Sequence, residues 1–266
     1  MKTYNRKTVR NIVFTGCLLV GTFGETELLY GGPWNPAHQA VEHNDVTKIE
    51  DLIATGEIIR YLAEKDDYDR TPLRLAVDRG NIPILLRLLQ IGDDVDTRDN
   101  QWKTPLMAAI GDGNPEIIEI LLDAGADVDA RDVNRRTVLM MAVATGNPWI
   151  INRIIQAGEK VNPPQYKPYD YLLNGDNPLG VAITNIDLDA VKILLEAGAR
   201  VDNDPSHNRE AYSRTIIQRR FDRSGKREIT QKQSRTIQEI FRLLIKSYNE
   251  QHAPILRPVM HTLRRS

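Results

Sequence analysis

The 266-residue sequence is poor in cysteine and aromatic residues, with a single cysteine, Cys17, and 6% aromatics. One cysteine cannot form a disulfide within the chain. The longest uncharged apolar run, residues 12–23, is shorter than the roughly 20 residues that cross a bilayer. The sequence therefore offers no disulfide framework, and a permanent transmembrane helix is the weaker interpretation of its apolar N-terminus.

Motifs for catalysis or metal binding are also scarce. Of five histidines, only His38 and His43 are close, and their i, i+5 spacing does not place them on one helical face. The acidic loop 93–99 lacks the glycine and glutamate of a calcium loop, so its aspartates are predicted to accept hydrogen bonds from turn amides. Gly111-Asp112-Gly113 lacks the Lys-Ser/Thr of a phosphate loop. We expect no enzyme, no cofactor and no metal.

Charge is unevenly distributed behind the net value of −1. Residues 1–24 carry four cations and no acids, and residues 25–206 carry 17 cations and 31 acids. Residues 207–266 carry 14 cations and five acids. An acidic body with a basic tail favours a protein partner with a basic surface patch and argues against nucleic acid as the ligand.

Residues 1–24 have the pattern of a secretory signal peptide. Cations extend to Arg10, an uncharged apolar run follows, and small residues precede a cleavage position at Gly24. Two alternatives stay open, namely a lipid anchor at Cys17 and an N-terminal segment buried in the fold. With its cysteine removed, the mature chain would suit an oxidising compartment, so we expect a bacterial protein of the periplasm, or else one anchored in the envelope or secreted.

A 33-residue period organises the body of the chain. Thr71, Thr104 and Thr137 occupy equivalent positions, and five units end at glycines: Gly56, Gly92, Gly125, Gly158 and Gly198. In the clearest unit, Thr104 and Asn114 are predicted N-caps, each followed by proline at the first helical position. Each unit is thus a pair of helices that cannot bury its apolar face alone, and the units must stack.

The pattern of Thr-Pro-Leu, Ala, Gly-Asn, an apolar helix and Gly-Ala-Asp-Val resembles the ankyrin repeat. Four units match over residues 67–202, and residues 37–56 resemble a degenerate first unit. The resemblance implies an all-α solenoid domain at residues 25–202. Its helix-turn-helix units lie near residues 37–66, 67–99, 100–132, 133–165 and 174–202. The usual loop glycine is replaced by Asp69, Trp102 and Arg135.

Residues 203–266 are predicted to form a basic connection and a capping helix. An apolar stripe runs through a helix from about Thr230 to Tyr248: Ile237, Ile240, Phe241, Leu244 and Ile245. Its outer face carries Lys232, Arg235, Arg242 and Lys246. This basic face is interpreted as solvated, with contact to an anionic membrane or a partner as the alternative.

The resemblance implies that loop tips and first helices line a concave binding face. The candidate contacts on the tips are Tyr68, Arg70, Trp102, Lys103, Arg135 and Arg136. Trp and Arg often dominate interface energetics. The alternative is that Trp102 packs on a neighbouring tip and that the arginines pair with adjacent aspartates. First-helix residues are secondary candidates, and at least half of them are expected in the core: Arg74, Asp78, Met107, Met140 and Met141.

A tyrosine-rich insertion in the fifth unit, residues 163–176, is a second candidate. Three prolines restrict its backbone, and Tyr166, Tyr169 and Tyr171 supply aromatic area. Packing of this finger against the solenoid is equally compatible with the sequence. Trp149, at the start of a second helix, is a weaker candidate, and Trp34 is expected to seal the N-terminal end.

By analogy with small exported bacterial ankyrin proteins, we expect a non-catalytic protein-binding module. The favoured role is an immunity protein or inhibitor that occludes a toxic effector, such as a phospholipase delivered by type VI secretion. Two alternatives stay open, a secreted effector that binds host proteins and a periplasmic accessory to an antioxidant enzyme.

Overall fold

The computed structural model describes residues 35–162, 177–201 and 230–263, with side chains in the last range as far as Gln251. The regular structure in these ranges is helical, apart from one antiparallel bridge between Arg131 and Thr137. The helices are α1 (Pro36–Glu42), α2 (Val46–Ala54), α3 (Ile58–Leu62), α4 (Pro72–Asp78), α5 (Ile82–Gln90), α6 (Pro105–Asp112), α7 (Pro115–Asp123), α8 (Val138–Thr145), α9 (Pro148–Gln156), α10 (Pro178–Asn185), α11 (Leu188–Glu196) and α12 (Gln231–Leu263).

The helices begin and end where their capping residues predict. The Thr104 hydroxyl accepts the amide of Met107 at 3.4 Å at the start of α6, and the Asn114 side chain accepts the amide of Ile117 at 3.3 Å at the start of α7. Gly113, which ends α6, adopts φ 69°, the left-handed conformation that glycine reaches without steric cost. The helix-turn-helix unit predicted from the sequence is confirmed.

Stacked first helices build one continuous core. α4 packs against α1 and α6, and α8 packs against α6 and α10, while second helices such as α9 and α11 also meet directly. Four first helices, α4, α6, α8 and α10, have a buried leucine at their second position: Leu73, Leu106, Leu139 and Leu179. Because burial of one leucine contributes about 1.5–3 kcal/mol, each interface between units contributes substantially to stability.

The C-terminal helix covers the last helix pair. α12 packs against α11 through four buried side chains: Ile237, Ile240, Phe241 and Leu244. Gln251 adds hydrogen bonds to the amide of Val201 at 3.0 Å and the carbonyl of Ala199 at 2.9 Å. The predicted cap is confirmed, but α12 continues past Tyr248 to Leu263. The buried side chains described for α12 lie within the predicted apolar stripe.

The sequence did not predict α3, which follows Gly56 near the end of the first unit, and its Ile59 is 74% exposed. No helix in the described parts of the chain combines the length and apolarity needed to cross a membrane.

Several sequence predictions lie outside the described residues. They concern the signal peptide 1–24 with Cys17, Trp34, the insertion 163–176 with Tyr166, Tyr169 and Tyr171, and the connection 203–229.

Candidate protein-binding site

Three loops precede the first helices α4, α6 and α8, and we call them the first tip (residues 65–70), second tip (98–103) and third tip (131–136). Each is organised by one aspartate at the same position of the repeat: Asp66, Asp99 and Asp132. In every tip, the Oδ1 atom of this aspartate accepts the backbone amides of the second and fourth residues after it, at 2.8–2.9 Å. The tips therefore have one shared backbone conformation. This confirms that the loop aspartates serve turn amides.

The second carboxylate oxygen of each aspartate binds an arginine. Asp66 pairs with Arg70 at 2.7 Å, and Asp132 pairs with Arg136 at 2.6 Å. Burial acts to raise the pKa of Asp66, but hydrogen bonds from the Arg70 side chain and the tip amides outweigh it, so the pKa lies below its usual value. Arg70 and Arg136 thus help to hold the tips, as the alternative sequence interpretation proposed for the arginines. A role for them in partner contact stays a prediction.

The fifth residue of each six-residue tip adopts the left-handed backbone conformation. Asp69, Trp102 and Arg135 have φ of 59°, 59° and 60°. For residues with a Cβ atom this conformation costs roughly 1–2 kcal/mol, and for a bulky residue such as tryptophan it is uncommon. Strain of this kind tends to persist where the side chain has a function. The geometry therefore supports a functional role for the side chains that replace glycine, Trp102 first.

Large apolar side chains stand exposed along the tips. Tyr68 is 62% exposed, Trp102 is 60% exposed and Val133 is 53% exposed. The Arg98 guanidinium lies 5.8 Å from the Trp102 ring, and that of Arg70 lies 5.0 Å from the Tyr68 ring. The indole is thus not buried on a neighbouring tip. We call Tyr68, Trp102 and Val133 the tip row.

Backbone hydrogen bonds join adjacent tips. The amide of Asn100 donates to the carbonyl of Tyr68 at 3.2 Å, and the amide of Val133 donates to the carbonyl of Gln101 at 3.1 Å. The spacing of the row is therefore set by the repeat stack. A partner would meet side chains held in a fixed order, which lowers the entropy lost on binding.

Side-chain hydrogen bonds also join each tip to the next one along the stack. The Lys65 ammonium donates to the carbonyl of Arg98 at 2.8 Å, and the Arg98 guanidinium donates to the carbonyl of Arg131 at 3.2 Å. Lys65, Arg98 and Arg131 are 33 residues apart, so these hydrogen bonds between tips follow the period of the repeat.

An ion network lies beside the first two tips on the first helices. Arg74 is buried and bonds to Asp78 at 3.0 Å and to Asp99 at 2.8 Å, and Arg70 bonds to Asp78 at 3.0 Å. Burial acts to raise the pKa of Asp99, but hydrogen bonds from the amide of Lys103 and from Arg74 outweigh it and lower the pKa. Arg74 therefore links α4 to the second tip, and Asp78 joins Arg70 and Arg74 within one unit.

The methionines of the first helices divide between core and surface. Met107 and Met140 are buried, and Met141 is half-buried. The expectation that at least half of the first-helix candidates belong to the core is confirmed, since Arg74 is buried as well.

The burial of two carboxyl groups was not anticipated from the sequence: Glu159 is buried and Asp93 is half-buried. Asp93 and Glu159 occupy the position after the unit-ending glycine, where Ala126 and Ala199 are buried in other units. Burial raises the pKa of Asp93 to about 7 and that of Glu159 to about 8. The replacement of alanine by Asp93 and Glu159 at this position was the available sequence signal. Sequence alone does not show how deeply each side chain is buried.

His38 has a structural role. The ring is buried, and its Nε2 atom lies 2.8 Å from the carbonyl oxygen of Arg70. Burial lowers the pKa of His38, which favours the neutral ring. The side chain therefore links the first unit to the first tip.

These features define a repeat solenoid with an exposed row on its loop tips, a construction typical of proteins that bind other proteins. Residues 84–165 match a family model described as ankyrin repeats, in three copies. No curated protein matches the chain. Residues 84–165 are therefore ankyrin repeats, and such repeats indicate a protein–protein interaction module.

Proposed function

We propose that the protein is a non-catalytic immunity protein or inhibitor of the bacterial envelope, which binds a toxic effector and occludes it. A phospholipase delivered by type VI secretion is the effector class we favour. The observation that carries the proposal is the tip row, since Trp102 is kept exposed in a strained backbone conformation. Exposed aromatic side chains on a rigid scaffold suit binding at low entropic cost.

Occlusion is the activity that such a surface supports best. Stacked repeats present a long surface, and an inhibitor needs only to cover the catalytic mouth of its target. Residues 25–206 carry an excess of acids, so the matching partner surface has a basic patch. Long-range attraction between the two would speed their association.

The proposed location is the periplasm. It rests on the basic and then apolar pattern of residues 1–24, with a lipid anchor at Cys17 or secretion as alternatives. An inhibitor held in this compartment would meet an incoming effector before it reaches its substrate.

The test is capture followed by an activity measurement. Residues 25–266 serve as bait in envelope fractions of the source organism and of neighbouring strains, beside a Trp102→Ala bait. A Trp149→Ala bait is the matched control, since Trp149 is 41% exposed on α9, outside the tip row. A captured hydrolase is then purified and assayed with and without the protein.

We expect a hydrolase that wild type and Trp149→Ala retain, that Trp102→Ala loses, and whose activity falls as wild type approaches one equivalent. Undiminished activity of the captured enzyme would refute the inhibitor role. Capture of an antioxidant enzyme or of host proteins would instead support the accessory or effector alternatives.

A further inference from the structure

The tips differ in charge from one end of the row to the other. The first tip has three acids against two cations, the second has two cations against one acid, and the third has three cations against one acid. The net charge of the tips therefore changes from negative on the first tip to positive on the third, although residues 25–206 as a whole are acidic.

The ion pairs that hold the tip backbones contribute little to this difference in net charge. Asp66 is paired with Arg70, and Asp132 with Arg136. The first tip also carries exposed Asp67, Asp69 and Lys65, whose ammonium donates to the carbonyl of Arg98, and the third tip also carries exposed Arg135 and half-buried Arg131. Trp102 lies on the tip between them.

The stack fixes the distance between the two ends. Packed helices lie about 8–10 Å apart, so the first and third tips are separated by roughly 20 Å. An extended chain covers that distance in about six residues. Because charges on exposed groups are screened over about 8 Å at physiological salt, each end acts on its own part of a partner.

We propose that the tip row binds an extended segment of the partner protein that is basic at one end, acidic at the other and apolar between them. The basic end lies over Asp67 and Asp69, a large apolar side chain meets Trp102 and Val133, and the acidic end lies over Arg135. This inference rests on the proposed function, in that the tips are taken as the binding surface. A uniformly basic segment would be repelled at the third tip.

Three synthetic peptides of equal length test the charge order. Each has a central leucine and two charged residues at either end, about six residues apart. One is basic at one end and acidic at the other, the second is basic at both ends, and the third is acidic at both ends. Calorimetry at low salt measures their affinity for residues 25–266. We expect the bipolar peptide to bind roughly three- to tenfold more tightly than either of the others, because each exposed charge pair adds little.

The second part of the experiment reverses the charge of one residue on the first tip. Asp67→Lys makes all three tips cationic, so the preference should move to the peptide that is acidic at both ends. Asp67→Asn should give an intermediate preference. Glu239→Lys, an equal change of charge on exposed α12, is the matched control and should keep the preference of wild type.

Equal affinity for the three peptides, no binding of the bipolar peptide, or an unchanged preference in Asp67→Lys would overturn the proposal. Trp102→Ala should weaken the binding of all three peptides, since each carries the central leucine, and unchanged affinity in this variant would also overturn the proposal. The experiment uses no toxin, so its failure is distinguishable from failure of the immunity role.

Discussion

Trp102 is the residue at which stability and the proposed binding role conflict most directly. Its left-handed backbone favours glycine, yet an indole projects from it. We expect Trp102→Gly to be more stable than Trp102→Ala by about 1 kcal/mol, because both variants lack the indole but only glycine relieves the strain. Urea unfolding of the two variants measures the difference. Equal midpoints would mean that the tip is not strained.

Glu159 should make the stability of the protein depend on pH. Burial raises its pKa from an ordinary value of 4.5 to about 8, although the side chain accepts hydrogen bonds from the Thr137 hydroxyl and the amide of Leu139. Since the folded state holds the proton more tightly, the stabilising contribution is complete below pH 4.5. It is lost as the pH rises through about 8.

Glu159→Gln tests this dependence, because the amide keeps the size of the side chain and does not ionise. Above pH 8 we expect the variant to be more stable than wild type by about 3–5 kcal/mol, with a much smaller difference at pH 4.5. Thermal unfolding across this range provides the measurement. Parallel curves for the two proteins would show that Glu159 does not titrate within the window.

At the scale of single helices, the contacts described for α12 lie in its N-terminal part, up to Gln251. The buried side chains end at Leu244, and Gln251 makes the last contact with the repeat region that the described side chains show. A chain that ends at Gln251 should unfold within about 1 kcal/mol of the full chain. A chain that ends at residue 229 should lose several kcal/mol, because α11 is uncovered.

Denaturant unfolding of the two truncated chains checks this prediction. Glu239→Lys in the full chain controls for a change of surface charge on the same helix. If truncation at Gln251 destabilises as much as truncation at 229, the residues after Gln251 carry contacts of their own.

The sequence predicted helices well where a local signal bounds them. Thr104 and Asn114 marked helix starts, and Gly125 marked the end of a unit, through hydrogen bonds and backbone preferences that act over a few residues. The signals failed for α3, which lies where the interval between the unit-ending glycines Gly56 and Gly92 departs from 33 residues. They also failed for the end of α12, which lies beyond its apolar stripe. Packing marks which part of a helix is covered and does not mark where the helix stops.

The candidate site was predicted in part. Trp102 was recognised because it replaces a loop glycine, and the aspartates Asp66, Asp99 and Asp132 share the 33-residue period. Val133 was missed, since its exposure depends on which tip side chains point outward. The pairing of Arg136 with Asp132 and the network around Arg74 also required the positions of side chains from different turns and units.

At the scale of the whole molecule, stability should vary along the stack. α6 and α8 pack between first helices on both sides, whereas α2 has two buried residues and α3 has one. In a repeat array, each unit is stabilised mainly by its neighbours. Amide hydrogens of α6 and α8 should therefore exchange most slowly with solvent, and those of α3 most rapidly.

A core substitution should reveal how far this coupling extends. Leu106→Ala removes a fully buried side chain from α6, at an expected cost of about 2–5 kcal/mol. Because α4 and α8 both pack on α6, exchange should accelerate in all three helices. Leu52→Ala in α2 should accelerate exchange mainly in the first unit and in α5, its neighbour in the stack. Hydrogen exchange read by mass spectrometry compares the two variants, and acceleration confined to residues 104–125 in Leu106→Ala would show that the units unfold independently.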